Sequence, residues 1–285
     1  MSGAAPPSTG GPLVAFVTAV GRAGLGVGSV LAEAVRYLGH SAWLVGDACV
    51  WLARSLITRR VRMNWSALAF QMVRVGVRSI PIILLVQVFI GIILTLQMAP
   101  TLASYGSLDR VANIVAIAMF RELGPLLSAI VLSGFAGASI AAEIGAMVEA
   151  EEIKALRAHA LDPVRFLVLP RLLATVVMLV GLAVMADVVG VGGGLMTAWW
   201  VLDIHPNTYL ENTRVALLYS DFVTGLVKAG VFGLLIAVIA CHEGLSVSGG
   251  AEGVGRATTA TVVRSIVALI ATDCLFTAAF YLFGL

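Results

Sequence analysis

Long stretches without a charged side chain run through this sequence. Charged residues are absent over 79–108, 123–142 and 188–202, and a single one occurs in each of the stretches 222–241 and 265–285. A helix needs about 20 apolar residues to cross the hydrocarbon core of a bilayer. Because hydrocarbon offers no hydrogen-bond partners, the backbone of each stretch must pair with itself, which favours helices. The pattern therefore predicts an all-α polytopic membrane protein.

Prolines and turn-forming residues mark the boundaries of these stretches. Pro81 lies near the start of the first predicted span and Pro163 opens the third predicted span, at positions where a helix tolerates proline. A polar loop is expected at 203–220 and a glycine-rich loop at 243–260. About five spans are predicted, at 79–103, 111–147, 163–202, 221–242 and 262–285.

The N-terminal region differs from the spans because charges interrupt its apolar stretches. Residues 1–12 are rich in Pro, Gly and Ser and are predicted to form a disordered tail, whereas 59–285 is predicted to form the transmembrane domain. The polar stripe of 13–58 covers only about 60° of a helical wheel, which is typical of an amphipathic helix in the membrane interface. The alternative is a span whose polar face turns into the bundle. The stripe consists of Arg22, Glu33, Arg36, His40, Asp47 and Arg54.

Composition restricts the function further. The 285 residues are 60% hydrophobic and 12% charged, with a mean hydropathy of +1.00, which leaves no room for a soluble catalytic domain. Cys49, Cys241 and Cys274 are far apart in the sequence, so neither a disulfide framework nor a metal site is indicated. The sequence contains no glycine-rich phosphate loop of the ATP-hydrolysing type. Any ATP is therefore expected to be hydrolysed by another chain.

Lysine and arginine are distributed unevenly between the two ends of the predicted spans. About fourteen of the 18 fall on the side that carries Arg59, Arg60 and Arg62, whereas Arg110 and Arg214 lie on the other side. Cytoplasmic segments of membrane proteins carry an excess of these residues. The distribution predicts a cytoplasmic N-terminus and a C-terminus on the outer side.

Four charged residues fall inside the predicted spans at a similar depth. A charge at the centre of a helix in the membrane costs about 3 kcal/mol on insertion scales, so these side chains are expected to face inward and pair. Such a group can hold the bundle together, line a substrate cavity or relay protons, and the sequence alone leaves these roles open. The four are Arg121, Glu122, Lys228 and Asp273, with Asp187 as a further acid in the third span.

A short charged segment, 149–161, separates the second and third spans. Ile153 and Leu156 fall on one side of its predicted helix, and charged residues occupy the other sides. An amphipathic helix of this kind docks into a groove of a partner or lies on the membrane surface.

Several runs of this sequence together closely resemble the MlaE/YrbE permease family. The resemblance covers about residues 75–285, and it includes the entry to the first span at Ser79–Pro81, Gln97 and Asp273. The run Arg121–Pro125 is more similar to the Mla branch than to the Mce branch of the family. The longer matching runs are 121–147, 151–156, 162–174, 225–245 and 250–263.

The resemblance implies the membrane subunit of an ABC transporter that moves phospholipids between the inner and outer membranes of a bacterium. It implies two permease copies, a cytoplasmic ATPase dimer that binds ATP and Mg, and a periplasmic ring of MCE-domain proteins. The implied location is the inner membrane, with the C-terminus in the periplasm, and no nucleic acid, metal or catalytic residue is expected.

The resemblance also assigns roles to particular residues. A lipid pocket at the dimer centre is implied, lined mainly by the first and fifth spans, with Leu94 and Gln97 as its residues on the first span. The 149–161 segment corresponds to the helix that docks on the ATPase, and the N-terminal amphipathic stretch corresponds to an interfacial helix. The implied ATPase-coupling residues are Glu149, Glu151, Glu152, Ile153, Leu156 and Arg157.

Two positions depart from the family pattern, and two other functions are alternatives to the permease. Phe135 stands where the family commonly has Arg, and Lys154 stands where it commonly has Asp. An ion-coupled transporter would work through Glu122, Lys228 and Asp273, but the sequence shows no internal repeat. An intramembrane serine enzyme would use the turn at 137–139, where Ile140 replaces the closing glycine.

Overall fold

A computed structural model of the protein describes residues 35–37, 39–54 and 65–283. The predicted tail at 1–12 lies outside these residues, as does the predicted interfacial helix over 13–34 and 55–58. The chain divides into two compact units, Met1–Val45 and Gly46–Leu285. The described residues of the first unit are helical, and the second unit is all-α within its described residues.

The helices are numbered α1 to α11 in chain order. α1 covers residues 39–54, and single turns of 3-10 helix occur at Val77–Ser79 and Leu108–Arg110. The remaining helices are α2 (Trp65–Val75), α3 (Ile80–Ser104), α4 (Val111–Ala118), α5 (Gly124–Leu132), α6 (Ala138–Glu149), α7 (Glu152–Ala158), α8 (Leu169–Val201), α9 (Pro206–Ala216), α10 (Tyr219–Leu245) and α11 (Gly250–Phe283).

Five helical stretches in the described residues are long and apolar enough to cross a membrane, which confirms the predicted all-α membrane architecture. The first begins earlier than predicted because α2 precedes α3 across a single 3-10 turn. The five stretches are Trp65–Ser104, Leu108–Glu149, Val164–Val201, Tyr219–Leu245 and Gly250–Leu282.

The two loops predicted between the later spans are largely helical, so those predictions were wrong. The polar segment contains α9, which begins with Pro206 after His205, whose Nδ1 accepts a hydrogen bond from the Asn207 amide. The glycine-rich segment is helical from Gly250 onward, and its first turn carries an ion pair at 2.7 Å between Glu252 and Arg256. Caps and short-range pairs therefore extend these helices beyond their apolar stretches.

Three segments of π-helix interrupt the second and third membrane stretches. They lie at Met119–Leu123, Ser133–Gly137 and Val164–Val168. The first and third each end two residues before a proline, Pro125 or Pro170. Proline has no amide hydrogen for the carbonyl four residues earlier, so the wider π turn rearranges the hydrogen bonds there. Proline spacing thus explains two of the three segments.

α8 lies at the centre of the bundle and packs against α2, α3, α5 and α10. Its crossing with α3 is very close, since a Cβ placed on Gly91 would lie 1.9 Å from the Gly190 carbonyl oxygen. Small residues at such crossings let helix backbones approach within a membrane. α11 lies at the edge of the bundle: 11% of its most apolar stretch is buried, against 56% for α10.

Candidate substrate site and coupling segment

A buried lysine on α10 holds two carboxylates from two other helical stretches. Nζ of Lys228 lies 2.5 Å from Oε2 of Glu122 and 2.9 Å from Oδ1 of Asp273, and the lysine side chain is 1% exposed. The Thr277 hydroxyl accepts a hydrogen bond from Lys228 at 3.2 Å and donates one to Glu122 at 3.0 Å. Lys228 also lies over the Phe280 ring, 5.8 Å from its centroid. We call Lys228, Glu122, Asp273 and Thr277 the Lys228 cluster.

Arg121 does not join this cluster, although the sequence predicted that all four charges would meet. Its guanidinium lies 3.3 Å from Asp221 at the start of α10, where the same carboxylate accepts a hydrogen bond from the Leu218 amide. Arg121 and Glu122 are adjacent residues of the π segment Met119–Leu123, and adjacent side chains of a helix project in different directions around its axis. Arg121 and Glu122 therefore reach different partners, and the Lys228 cluster contains one cation and two anions.

A cavity of about 700 Å³ opens beside the Lys228 cluster along α11. Its walls combine two carboxylates and a hydroxyl with apolar side chains, and Tyr281 at its edge is 86% exposed. This lining suits a molecule with a polar group and an apolar body. The residues around the cavity are Glu122, Ile270, Asp273, Cys274, Thr277, Ala278 and Tyr281.

The two residues assigned to a lipid pocket on the first span do not line this cavity. Leu94 is half-buried against the apolar core near Tyr209, and Gln97 is exposed on α3.

Burial raises the pKa of Tyr209 to about 12, with the neighbouring Thr95 hydroxyl acting in the opposite direction. Asp187 is buried elsewhere, beside Gly124 in the bundle interior.

A second ion-pair cluster lies at the other end of the bundle, and the sequence reasoning missed it. Glu143 on α6 lies 2.7 Å from Arg74 on α2 and 3.1 Å from Arg171 on α8, and the Arg171 side chain is 5% exposed. Arg171 also donates a hydrogen bond to the Leu167 carbonyl at 2.8 Å. We call Arg74, Glu143 and Arg171 the Glu143 cluster; it joins the first three membrane stretches.

The Glu143 cluster also engages the serine that suggested an enzyme. The Ser139 hydroxyl accepts a hydrogen bond from Arg74 at 3.3 Å, and a guanidinium, which stays protonated, cannot act as the general base that a nucleophilic serine needs. The described residues contain no group of three His, Cys, Asp or Glu side chains that could hold a metal ion. This geometry gives no support to a serine enzyme.

The segment between the second and third stretches contains a helix shorter than predicted. Glu149 ends α6, and α7 covers only Glu152–Ala158. Left-handed backbone conformations precede and follow α7, at Glu151 (φ 60°) and Ala160 (φ 56°). Such conformations are strained for residues other than glycine.

The exposed surface of α7 is mainly polar. Ile153 is buried and Leu156 half-buried, so the apolar side of α7 packs against its own chain. Lys154 bonds Glu151 at 2.6 Å, and this hydrogen bond lowers the pKa of the Glu151 carboxyl. A partner would therefore meet exposed Glu152, Lys154 and Arg157 rather than the predicted apolar pair.

Comparisons with known proteins agree on one kind of membrane subunit. The sequence model of the family described as "Permease MlaE" matches residues 68–279. A probable ABC transporter permease protein of Rickettsia bellii is 36% identical over 249 residues, covering 83% of this chain and 96% of that protein. A probable ABC transporter permease protein of Synechocystis is 34% identical over 81% of this chain and 86% of its own length. Protein TRIGALACTOSYLDIACYLGLYCEROL 1, chloroplastic, of Arabidopsis thaliana is 32% identical over 77% of this chain and 63% of its own length.

Proposed function

This chain belongs to the MlaE permease family, and we propose that it moves phospholipids between the inner and outer membranes of a bacterium. It is an ABC transporter permease subunit. The proposal adds the substrate, the two membranes and the partner chains.

The cavity beside the Lys228 cluster is the observation that carries the substrate proposal. Its carboxylates and hydroxyl can accept hydrogen bonds from an ammonium or hydroxyl group of a headgroup, and Ile270 and Tyr281 provide apolar surface for acyl chains. The Arabidopsis relative supports a lipid substrate because the lipid in its name is a glycolipid with two acyl chains. An ion-coupled mechanism has no such support, since the relatives are named as ABC transporter permeases.

Exposed surfaces of the second unit support the partners in the proposal. Val263, Val267 and Ile270 on α11 are each more than half exposed, which suits packing against a second copy of this chain across the cavity. The charged face of α7 suits docking on a cytoplasmic ATPase dimer, which would supply ATP and Mg. At the opposite end, exposed Tyr105 and Tyr219 suit a periplasmic ring of MCE-domain proteins.

We expect a charge swap on α7 to remove the ATPase from the purified complex. Glu152→Arg combined with Arg157→Glu leaves the net charge unchanged but reverses the pattern that a partner meets, and like charges across an interface repel. Co-purification of the ATPase is expected to fall at least about tenfold. The matched control is Glu211→Arg with Arg214→Glu, an exposed swap on α9 at the other end of the bundle. Equal recovery of the ATPase with both swaps would refute docking through α7.

The proposed orientation places Gly255 in the cytoplasm and Asn207 in the periplasm. Both residues are exposed, so a cysteine at either position can react if reagent reaches it. A membrane-impermeant thiol reagent is expected to label Asn207→Cys, but not Gly255→Cys, in cells with a permeabilised outer membrane. Cys49, Cys241 and Cys274 are replaced beforehand. Labelling of position 255 but not of position 207 would contradict the proposed orientation and indicate the opposite one.

A further inference from the structure

Trp51 near the end of α1 contacts the segment that joins α7 to the third membrane stretch. Its indole Nε1 donates a hydrogen bond to Oδ2 of Asp162 at 3.0 Å. Two guanidinium groups also lie over the ring, that of Arg54 at 5.3 Å and that of Arg165 at 5.4 Å from its centroid. We call Trp51, Arg54, Asp162 and Arg165 the Trp51 cluster.

Asp162 links this cluster to the start of the third stretch. Its second carboxylate oxygen, Oδ1, accepts a hydrogen bond from the Val164 amide at 2.9 Å, at the point where the π segment begins. Arg165 extends the contact to the Phe166 ring, 5.3 Å from its centroid. One side chain thus binds both α1 and the first turn of the third stretch.

Charged residues of both signs accompany Trp51. Asp47 and Asp162 supply two carboxylates, and Arg54 and Arg165 supply two guanidinium groups. Burial raises the pKa of Asp47, the Asp162 carboxylate raises it further, and Arg54 acts in the opposite direction. Asp47 lies four residues, about one helical turn, before Trp51 on α1.

The same segment is short and strained on its α7 side. Only residues 159–161 separate the end of α7 from Asp162, and Ala160 among them has the left-handed conformation. Because only three residues lie between them, a displacement of α7 also moves Asp162. Left-handed residues and π segments recur at sites that move or bind, which fits a segment that transmits motion.

We propose that Trp51 is a positioning residue that couples α1 to α7. By holding Asp162 in place, it lets ATPase movements at α7 displace the third stretch instead of only bending residues 159–161. The inference rests on the proposed function, since it takes α7 as the ATPase-docking helix. The hydrogen bond from Trp51 to Asp162 fixes one end of residues 159–161, and α7 fixes the other end.

Amide hydrogen exchange of the purified permease, without its ATPase, tests the contact itself. Trp51→Phe removes the donor but keeps a ring. Asp162→Asn leaves one acceptor oxygen for two donors, the Trp51 indole N–H and the Val164 amide. Each variant is expected to speed exchange over 152–162 by about three- to tenfold, as the loss of one hydrogen bond implies. The double variant is expected to add little, because both changes break the same bond. Trp43→Phe is the control, since Trp43 on α1 is 67% exposed.

The complex with the ATPase, in proteoliposomes with a fluorescent phosphatidylethanolamine, tests the role. Trp51→Phe is expected to raise the ATP hydrolysed per lipid transferred about threefold or more, with Trp43→Phe unchanged. Unchanged exchange in Trp51→Phe, or faster exchange with an unchanged ratio, would overturn the inference. Failure of the unaltered permease to bind the ATPase would instead overturn the proposed function, and the exchange data would still report on the contact.

Discussion

Lys228→Ala is expected to destabilise the bundle by about 2–3 kcal/mol and to reduce the yield of folded protein sharply. The lysine is buried, and its removal leaves the carboxylates of Glu122 and Asp273 facing each other without a cation. These carboxylates are 33% and 15% exposed, so water offsets part of the cost. Thermal unfolding in detergent and the extracted yield measure the effect.

Neutralising the two acids separates a structural role from a substrate role. Lys228→Met combined with Glu122→Gln and Asp273→Asn removes the uncompensated charges, so folded yield is expected to recover. Phospholipid transfer is expected to remain low, because the polar wall of the cavity has lost its charge. Arg256→Ala is the control, since its pair with Glu252 is exposed and is worth less than about 1 kcal/mol. A normal yield for Lys228→Ala would contradict the structural role, and full transfer by the neutralised variant would contradict the substrate role.

The sequence predicted the spans well and their ends poorly, for a physical reason. Hydrocarbon requires a minimum apolar length, and this requirement is visible in the sequence as missing charge. Where a helix ends depends on local hydrogen bonds, such as the Nδ1 cap of His205 and the ion pair between Glu252 and Arg256. These contacts lie outside the apolar stretches that marked the spans.

The pairing of Lys228 was predictable because of the cost of an unpaired charge in hydrocarbon, whereas the partner of Arg121 was not. Depth along a helix follows from residue number, but direction around the helix depends on local winding. The π segment Met119–Leu123 changes that winding, and Pro125 two residues later is the signal that could have revealed it.

Contacts between distant parts of the chain were the hardest to foresee. Trp51 and Asp162 are 111 positions apart, and neither stands out in the sequence. The excess of Lys and Arg on one side of the spans accounts for the presence of Arg74 and Arg171 there, but it does not predict that they share a partner. Glu143 is the charged residue that ends the charge-free stretch of the second span. Its carboxylate is the sequence feature that indicates an anionic partner for the two arginines.

Glu143→Ala is expected to destabilise the end of the bundle that carries the Glu143 cluster by about 3 kcal/mol or more, since it leaves buried Arg171 without its counter-ion. Arg74 loses the same partner, so contacts among three membrane stretches weaken together. Glu143→Gln keeps a hydrogen-bond acceptor and is expected to cost less.

Cys241 offers a local readout of this change. The thiol is fully buried on α10, which packs against α8, the helix that carries Arg171. With Cys49 and Cys274 replaced, a small thiol reagent is expected to label Cys241 faster in Glu143→Ala, because the end of the bundle opens more often. The control, Glu252→Ala, breaks only an exposed pair and is expected to leave the labelling rate unchanged. Equal labelling rates for Glu143→Ala and this control, together with equal melting temperatures, would show that the bundle does not depend on the Glu143 cluster.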